Sequence, residues 1–324
     1  MVAQQPVELM AALGAVKRPA PPLTEVEGLQ VVQKVKIGDG GSRGRIRCAD
    51  FDRLYSSIIH LAVGHYQAIL ANSTIYPGDV ESRNWSGEAW AASCWANGVR
   101  IDYDEDAYKL ITSRGSILRS ELKTVMRPLV MTEFGFSDDK TPEATSLNAV
   151  LVKSLLENRK NFTYKDRKEG KGVFEAEIIQ KGMIKWCYEK KNSLGVKFPA
   201  YFMDASTGGV SFGIIVAILT AVEACVMEWT TGTRTETKFY KEQYATVFNT
   251  YLTLLINFHE GTKHAGIIPR ICKKLLKVAR HHGNVANEPI PSAATQHFTV
   301  DEFAAAAAEW DNRSGADSED DMMW

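Results

Sequence analysis

Residues 209–213, Gly-Val-Ser-Phe-Gly, spell the G-x-S-x-G pattern in which a serine on a strand-to-helix turn becomes a nucleophile. That chemistry needs a strand before Ser211, a helix after it, and an acid and a histidine further along a parallel-sheet scaffold. Phe198–Met203 is a short candidate strand, but Asp204 and two glycines intervene, and no alternating strand–helix pattern runs through the chain. Ser211 is expected instead to cap the following helix, its hydroxyl taking a free backbone N–H; a hydrolase using Ser211 ranks third among the expected functions. Glu223 and Glu228 stand five residues apart, about 140° around a helix, so they do not converge as an acid–base pair. Glu223 is expected to be partly buried and paired with an Arg or Lys. His259, His264, His281 and His282 have no carboxylate or thiol at ligand spacing, and His281 and His282 diverge on a helix. Gly38–Arg45 is glycine-rich but lacks the Gly-Lys-Ser/Thr ending of a phosphate-binding loop. These residues predict no catalytic set, no metal and no cofactor, and the chain is read as non-enzymatic.

The strongest remaining chemistry is charge. Pro269–Gly283, PRICKKLLKVARHHG, has Pro for a helix start and Gly for a helix stop. On a helical wheel Arg270, Lys273, Lys274, Lys277, Arg280 and His281 share an arc of about 120°. Ile271, Cys272, Leu275, Leu276, Val278 and Ala279 occupy the other side. Such a ridge suits RNA or DNA, whose phosphates release counterions when neutralised. It equally suits an acidic protein surface, or a solvated face complementing its own helix dipole. No aromatic cluster beside it offers a stacking platform. Arg114, Arg119, Lys123 and Arg127 form a second basic stripe, softened by Glu121, which strengthens the nucleic-acid reading if it lies beside the first.

Stepping outward along the chain, charge is segregated. Residues 261–287 carry six Lys/Arg and no acid, whereas 301–324 carry eight acids against Arg313. Asp317, Glu319, Asp320 and Asp321 in that tail are complementary to the ridge; the tail reads first as a solubilising disordered end, with transient cover of the ridge as the alternative. The 324 residues, 45% hydrophobic and 24% charged, are enough for one large core. Five widely spaced cysteines without a C-x-x-C pair argue for a reducing, intracellular setting (cytoplasmic or nuclear, not secreted). Phe212–Val222 is an unbroken apolar run, too short for a bilayer span before Glu223, so no membrane is expected.

Pattern and punctuation predict an all-α domain over residues 47–285, with roughly eight helices around a buried central one at 211–230. Residues 1–46 read as a flexible basic arm with a short strand or helix near Leu29–Ile37, and 286–324 as a disordered acidic tail. Helices are expected from Asp50 or Asp52 to Ala71, around Trp85–Trp95, and over Asp104–Thr112, Glu121–Thr132 and Val150–Arg159. Others are expected over Phe174–Lys191, Ser211–Thr230, Lys241–Phe258 and Pro269–His282, with surface connections at 137–148 and 162–172.

RGSILRSELK (Arg114–Lys123) followed by Phe-Gly-Phe (Phe134–Phe136), and the longer block from FEAEIIQKGMIKWCY through AILTAVEACVMEWTTGTRTETKF to LLKVARHHG (Phe174–Gly283), resemble an uncharacterised domain family expanded in mushroom-forming basidiomycete fungi. Thr220–Gly232 carries the resemblance most specifically; Ser120 departs from the glycine usual at its position. The resemblance spans about Arg47–Gly283. It implies a helical, intracellular fungal protein and transfers no catalytic residue. The expected function is a non-catalytic binding module contacting nucleic acid through the 270–281 face; the alternative is a protein–protein scaffold.

Overall fold

The computed structural model describes residues 29–38, 46–157 and 161–285. The acidic tail, with its alternative role over the ridge, and the arm before residue 29 lie outside the described residues. Among those residues the fold is all-α: α1 (Arg53–Asn72), α2 (Asp79–Ala96), α3 (Glu105–Thr112), α4 (Gly115–Phe134), α5 (Pro142–Leu156), α6 (Glu177–Met183), the four-residue α7 (Leu194–Lys197), α8 (Phe212–Met227), α9 (Lys241–Gly261) and α10 (Ile267–His282). Strands are minimal. β1 (Gln30–Val31) pairs in parallel with β2 (Val99–Arg100), and β3 (Tyr164–Asp166) forms a hairpin with β4 (Lys171–Val173). Part of the expected arm therefore joins the helical body. Lys34 secures it, reaching Asp104 at 2.6 Å and also Asp106, with its ammonium 5.0 Å above the Phe51 ring.

α8 is the axis of the fold, and all its residues from Phe212 to Val226 are buried. A helix apolar on every side must be enclosed on every side. α4 and α9 lie against it, and α1, α5 and α6 also pack on it. Thr220 satisfies its hydroxyl within the helix, donating to Val216 O at 2.7 Å. Glu223 corrects the expectation of an Arg or Lys partner: its carboxylate accepts from the hydroxyl of Tyr251, which α9 presents fully buried. A phenol meets a buried carboxylate without bringing a second charge out of water. At the start of α8, a Cβ on Gly213 would lie 2.4 Å from Ser73 O and 2.6 Å from Asn72 O. The carbonyl end of α1 thus abuts the amide end of α8, a favourable dipole arrangement.

Several boundaries differ from expectation for local reasons. α5 begins at Pro142, inside the expected 137–148 connection, because Thr141 caps it (Ala144 N to Thr141 Oγ1, 3.3 Å) and Pro142 suits a first helical position. α4 runs from Gly115 through Pro128 to Phe134, longer than Glu121–Thr132. The 174–191 helix is shorter, ending at Met183 in a π turn, Ile184–Tyr188. Phe198–Met203 is not a strand; Pro199–Phe202 forms a 3₁₀ turn. No described helix is long and apolar enough to cross a membrane.

Candidate functional site

α10 has the two-sided character that its periodicity predicts. Ile268, Ile271, Cys272, Leu275, Leu276 and Ala279 are buried, packing on α6 and the π turn. Arg270, Lys273, Lys274, Lys277 and His281 are exposed, and none forms an ion pair with a described carboxylate. Arg270 instead folds back to Ala265 O at 2.7 Å. Arg280 is the exception on the ridge: half-buried, it reaches Pro199 O at 3.4 Å and lies close to the Tyr188 hydroxyl. Two details of the helix differ from the sequence reading. Pro269 is its third residue rather than its first, with Gly266 in the left-handed region (φ 59°) before it. At the other end Asn284, not Gly283, takes the positive φ (50°). Val278, expected inside, is 39% exposed.

Apart from Arg114, which is exposed, the second basic stripe is not a surface. Arg119 donates to Ile75 O at 2.9 Å and lies over the Tyr76 ring. Lys123 is 3% exposed, and its ammonium sits 2.8 Å from Glu228 and against the Thr237 carbonyl. Arg127 grips the same carboxylate through two bonds, Nε to Oε2 at 3.0 Å and Nη2 to Oε1 at 2.9 Å. Thr237 N adds a third donor to Oε1 at 3.1 Å. The i, i+4 spacing of 119, 123 and 127 is that of a stripe facing inward, toward the turn after α8. Burial works to raise the Glu228 pKa, but the hydrogen bonds from Arg127 and Lys123 more than reverse it, and the net displacement is downward. Hydrogen bonding to Glu228 in turn raises Arg127. The sequence offered Glu228 only as half of a carboxylate pair that does not converge, so its role as a buried hub was not legible there.

Ser211 occupies the N-cap position of α8, but its hydroxyl caps no backbone N–H; it donates to Asn72 Oδ1 at 3.3 Å and is 4% exposed. The hydroxyl is turned toward Asn72, where α1 meets α8, and no α8 amide donates to it. Ser211→Ala is expected to change unfolding free energy by only about 1 kcal/mol, and a fluorophosphonate probe is expected to leave the native protein unlabelled. Labelling at Ser211 would contradict this geometry.

The segments that carried the resemblance meet in space. Beyond the Glu228 hub, Trp229 stacks on Phe136 with ring centres 5.0 Å apart. Asn148 ties the turn together, donating to Gly232 O and to Ser137 O, each at 2.8 Å. A family model described as a domain of unknown function (DUF6532) matches residues 61–258, the span holding this whole lock. The chain belongs to the DUF6532 family. No curated protein and no solved structure matched it. The match is narrower than the expected Arg47–Gly283 and ends before α10 begins. In this DUF6532 protein the matched strings Thr220–Gly232 and Arg114–Phe136 build the core, whereas the basic ridge lies outside the matched span.

Proposed function

We propose that this protein is a non-catalytic, intracellular binding module that contacts nucleic acid through the solvent face of α10. One observation carries the reading: four exposed cations, Arg270, Lys273, Lys274 and Lys277, line one face of a helix whose other face is anchored in the core, with His281 beside them, and no described carboxylate pairs with them. A cation already paired on the protein gains little from a phosphate; an unpaired one releases the counterions condensed on the nucleic acid. Five free thiols, four of them buried, support the intracellular part of the reading. The alternative, a protein-interaction scaffold, rests on Leu147 (69% exposed) and Val150 (61%), three residues apart on the outer side of α5.

The test is a salt titration of binding to a labelled nucleic acid. With about four phosphate contacts, affinity should fall roughly 150-fold between about 50 and 200 mM salt. Lys273→Glu/Lys274→Glu/Lys277→Glu should flatten the log–log slope by about 2.7, near 0.9 per lost contact, while leaving thermal unfolding little changed. No binding at the lowest salt removes the nucleic-acid reading and leaves the scaffold.

A further inference from the structure

The ridge on α10 is not isolated. Taking 100° per residue, Lys273 and Arg280 lie along one edge of its cationic arc, two turns apart, or about 10 Å. Residues 188–210 are built against that edge. A Cβ on Gly209 would stand 2.3 Å from the carbonyl carbon of Cys272, and one on Gly208 would stand 3.2 Å from Lys273 Cε. Val210 N donates to Cys272 O at 3.2 Å. Further along, Arg280 reaches Pro199 O, and a Cβ on Gly283 would meet Tyr188 Cδ1 at 3.0 Å and Val196 Cγ2 at 3.2 Å.

This flanking segment carries Lys190, Lys191 and Lys197, all exposed and none in an ion pair with a described residue. Its two acids are committed elsewhere. Glu189 bonds Lys185, and Asp204 is 7% exposed, accepting from Ser206 N at 2.9 Å and Thr207 N at 3.0 Å within its own loop. The segment packed along the edge of α10 therefore carries three exposed cations of its own and no uncommitted carboxylate.

We infer that the ligand is a nucleic-acid duplex, held through its phosphates by α10 together with Lys190, Lys191 and Lys197, and read without regard to sequence. This rests on the proposed nucleic-acid reading and narrows it. Two cationic elements side by side complement the two phosphate rows that flank a groove; a single strand offers one row. Proteins that prefer single strands add exposed aromatic rings for base stacking. Here no Trp, Tyr or Phe of α10 or of residues 188–210 is exposed. The exposed large aromatics among the described residues are Trp95, at the end of α2, and Tyr240, which precedes α9. Lysine also dominates the exposed cations of both elements, and an ammonium is a point charge for phosphate rather than a fork for base edges.

The full-length chain should be titrated with a labelled DNA duplex, with one of its strands alone, and with a duplex of unrelated sequence. The duplexes should bind alike and about tenfold or more tighter than the strand at equal salt. Lys190→Glu/Lys191→Glu/Lys197→Glu should flatten the salt slope by about 2.7, comparable to the triple replacement on α10. Single strand binding as tightly as duplex overturns the duplex inference and leaves nucleic-acid binding standing. A slope that responds to the α10 variant but not to the 190/191/197 variant overturns the two-element surface alone. If no nucleic acid binds at low salt, both readings fall.

Discussion

Glu228→Ala is expected to lower the unfolding free energy by about 3–5 kcal/mol, read from denaturant or thermal unfolding, because it leaves charge behind in the core. Lys123, 3% exposed, would keep its ammonium with the Thr237 carbonyl and hydroxyl and the Phe239 ring 6.0 Å away, but no counter-charge. Arg127 would keep a contact to Glu236 at 3.4 Å, whose side chain is 66% exposed and screened by water. Replacing both members of the buried pair, as in Lys123→Met/Glu228→Leu, should recover much of the loss, since desolvation is then no longer imposed on an unpaired group. A double variant as unstable as Glu228→Ala would show that the site's shape, not its charge, carries the stability. The pH dependence has a definite sign. The Glu228 pKa is depressed in the fold below the ordinary glutamate value of 4.5, so its contribution is present above that value and lost as pH falls through the folded pKa. His65 acts in a higher window. Burial pushes its pKa from 6.5 down to about 4, so between those values the unfolded chain binds the extra proton and acid destabilises the fold. The Glu228→Gln variant should lose the low window and keep the upper one.

Gly232→Ala is expected to cost about 2–4 kcal/mol, from two sources. Its φ of 83° is a conformation that alanine adopts at a penalty, and a Cβ there would lie 2.1 Å from the carbonyl oxygen of Thr145 in the first turns of α5. That oxygen is backbone and cannot step aside without moving α5, and the Asn148 bond to Gly232 O would move with it. Gly135→Ala separates the terms. Gly135 has a similar φ of 79°, but nothing lies within 4 Å of its Cβ position. It should cost about 1–2 kcal/mol, the conformational part alone. Equal losses at the two positions would remove the steric argument.

The helices were legible because each carries a signal within a turn or two of itself. Asp52, Asp104 and Thr141 cap by accepting from the residue three ahead, a contact that sequence spacing encodes. Thr141-Pro142 carries the same signal less clearly, because the polar stretch around it matches a loop as well as a helix start. The inner face of α10 was also legible, since apolar residues at helical spacing have only one side to bury. Charge was the weaker guide. Lys123 and Arg127 have the same spacing as Lys273 and Lys277, yet one pair surrounds a buried carboxylate and the other faces solvent.

Nothing local distinguishes those two pairs. The difference lies in Glu228, 101 residues beyond Arg127, brought there by the packing of α4 on α8. The local pattern alone was sufficient for the all-α class, the buried α8 and the outward ridge of α10, because helix periodicity and the length of an apolar run act over a few residues. Tertiary packing decided that Ser211 bonds Asn72, that Glu223 meets Tyr251, that Lys123 and Arg127 of the second basic stripe form an internal lock, and that residues 188–210 pack along one edge of α10. Those outcomes depend on which distant carboxylate, hydroxyl or backbone arrives opposite a side chain, and that is a property of the assembled core rather than of any one segment.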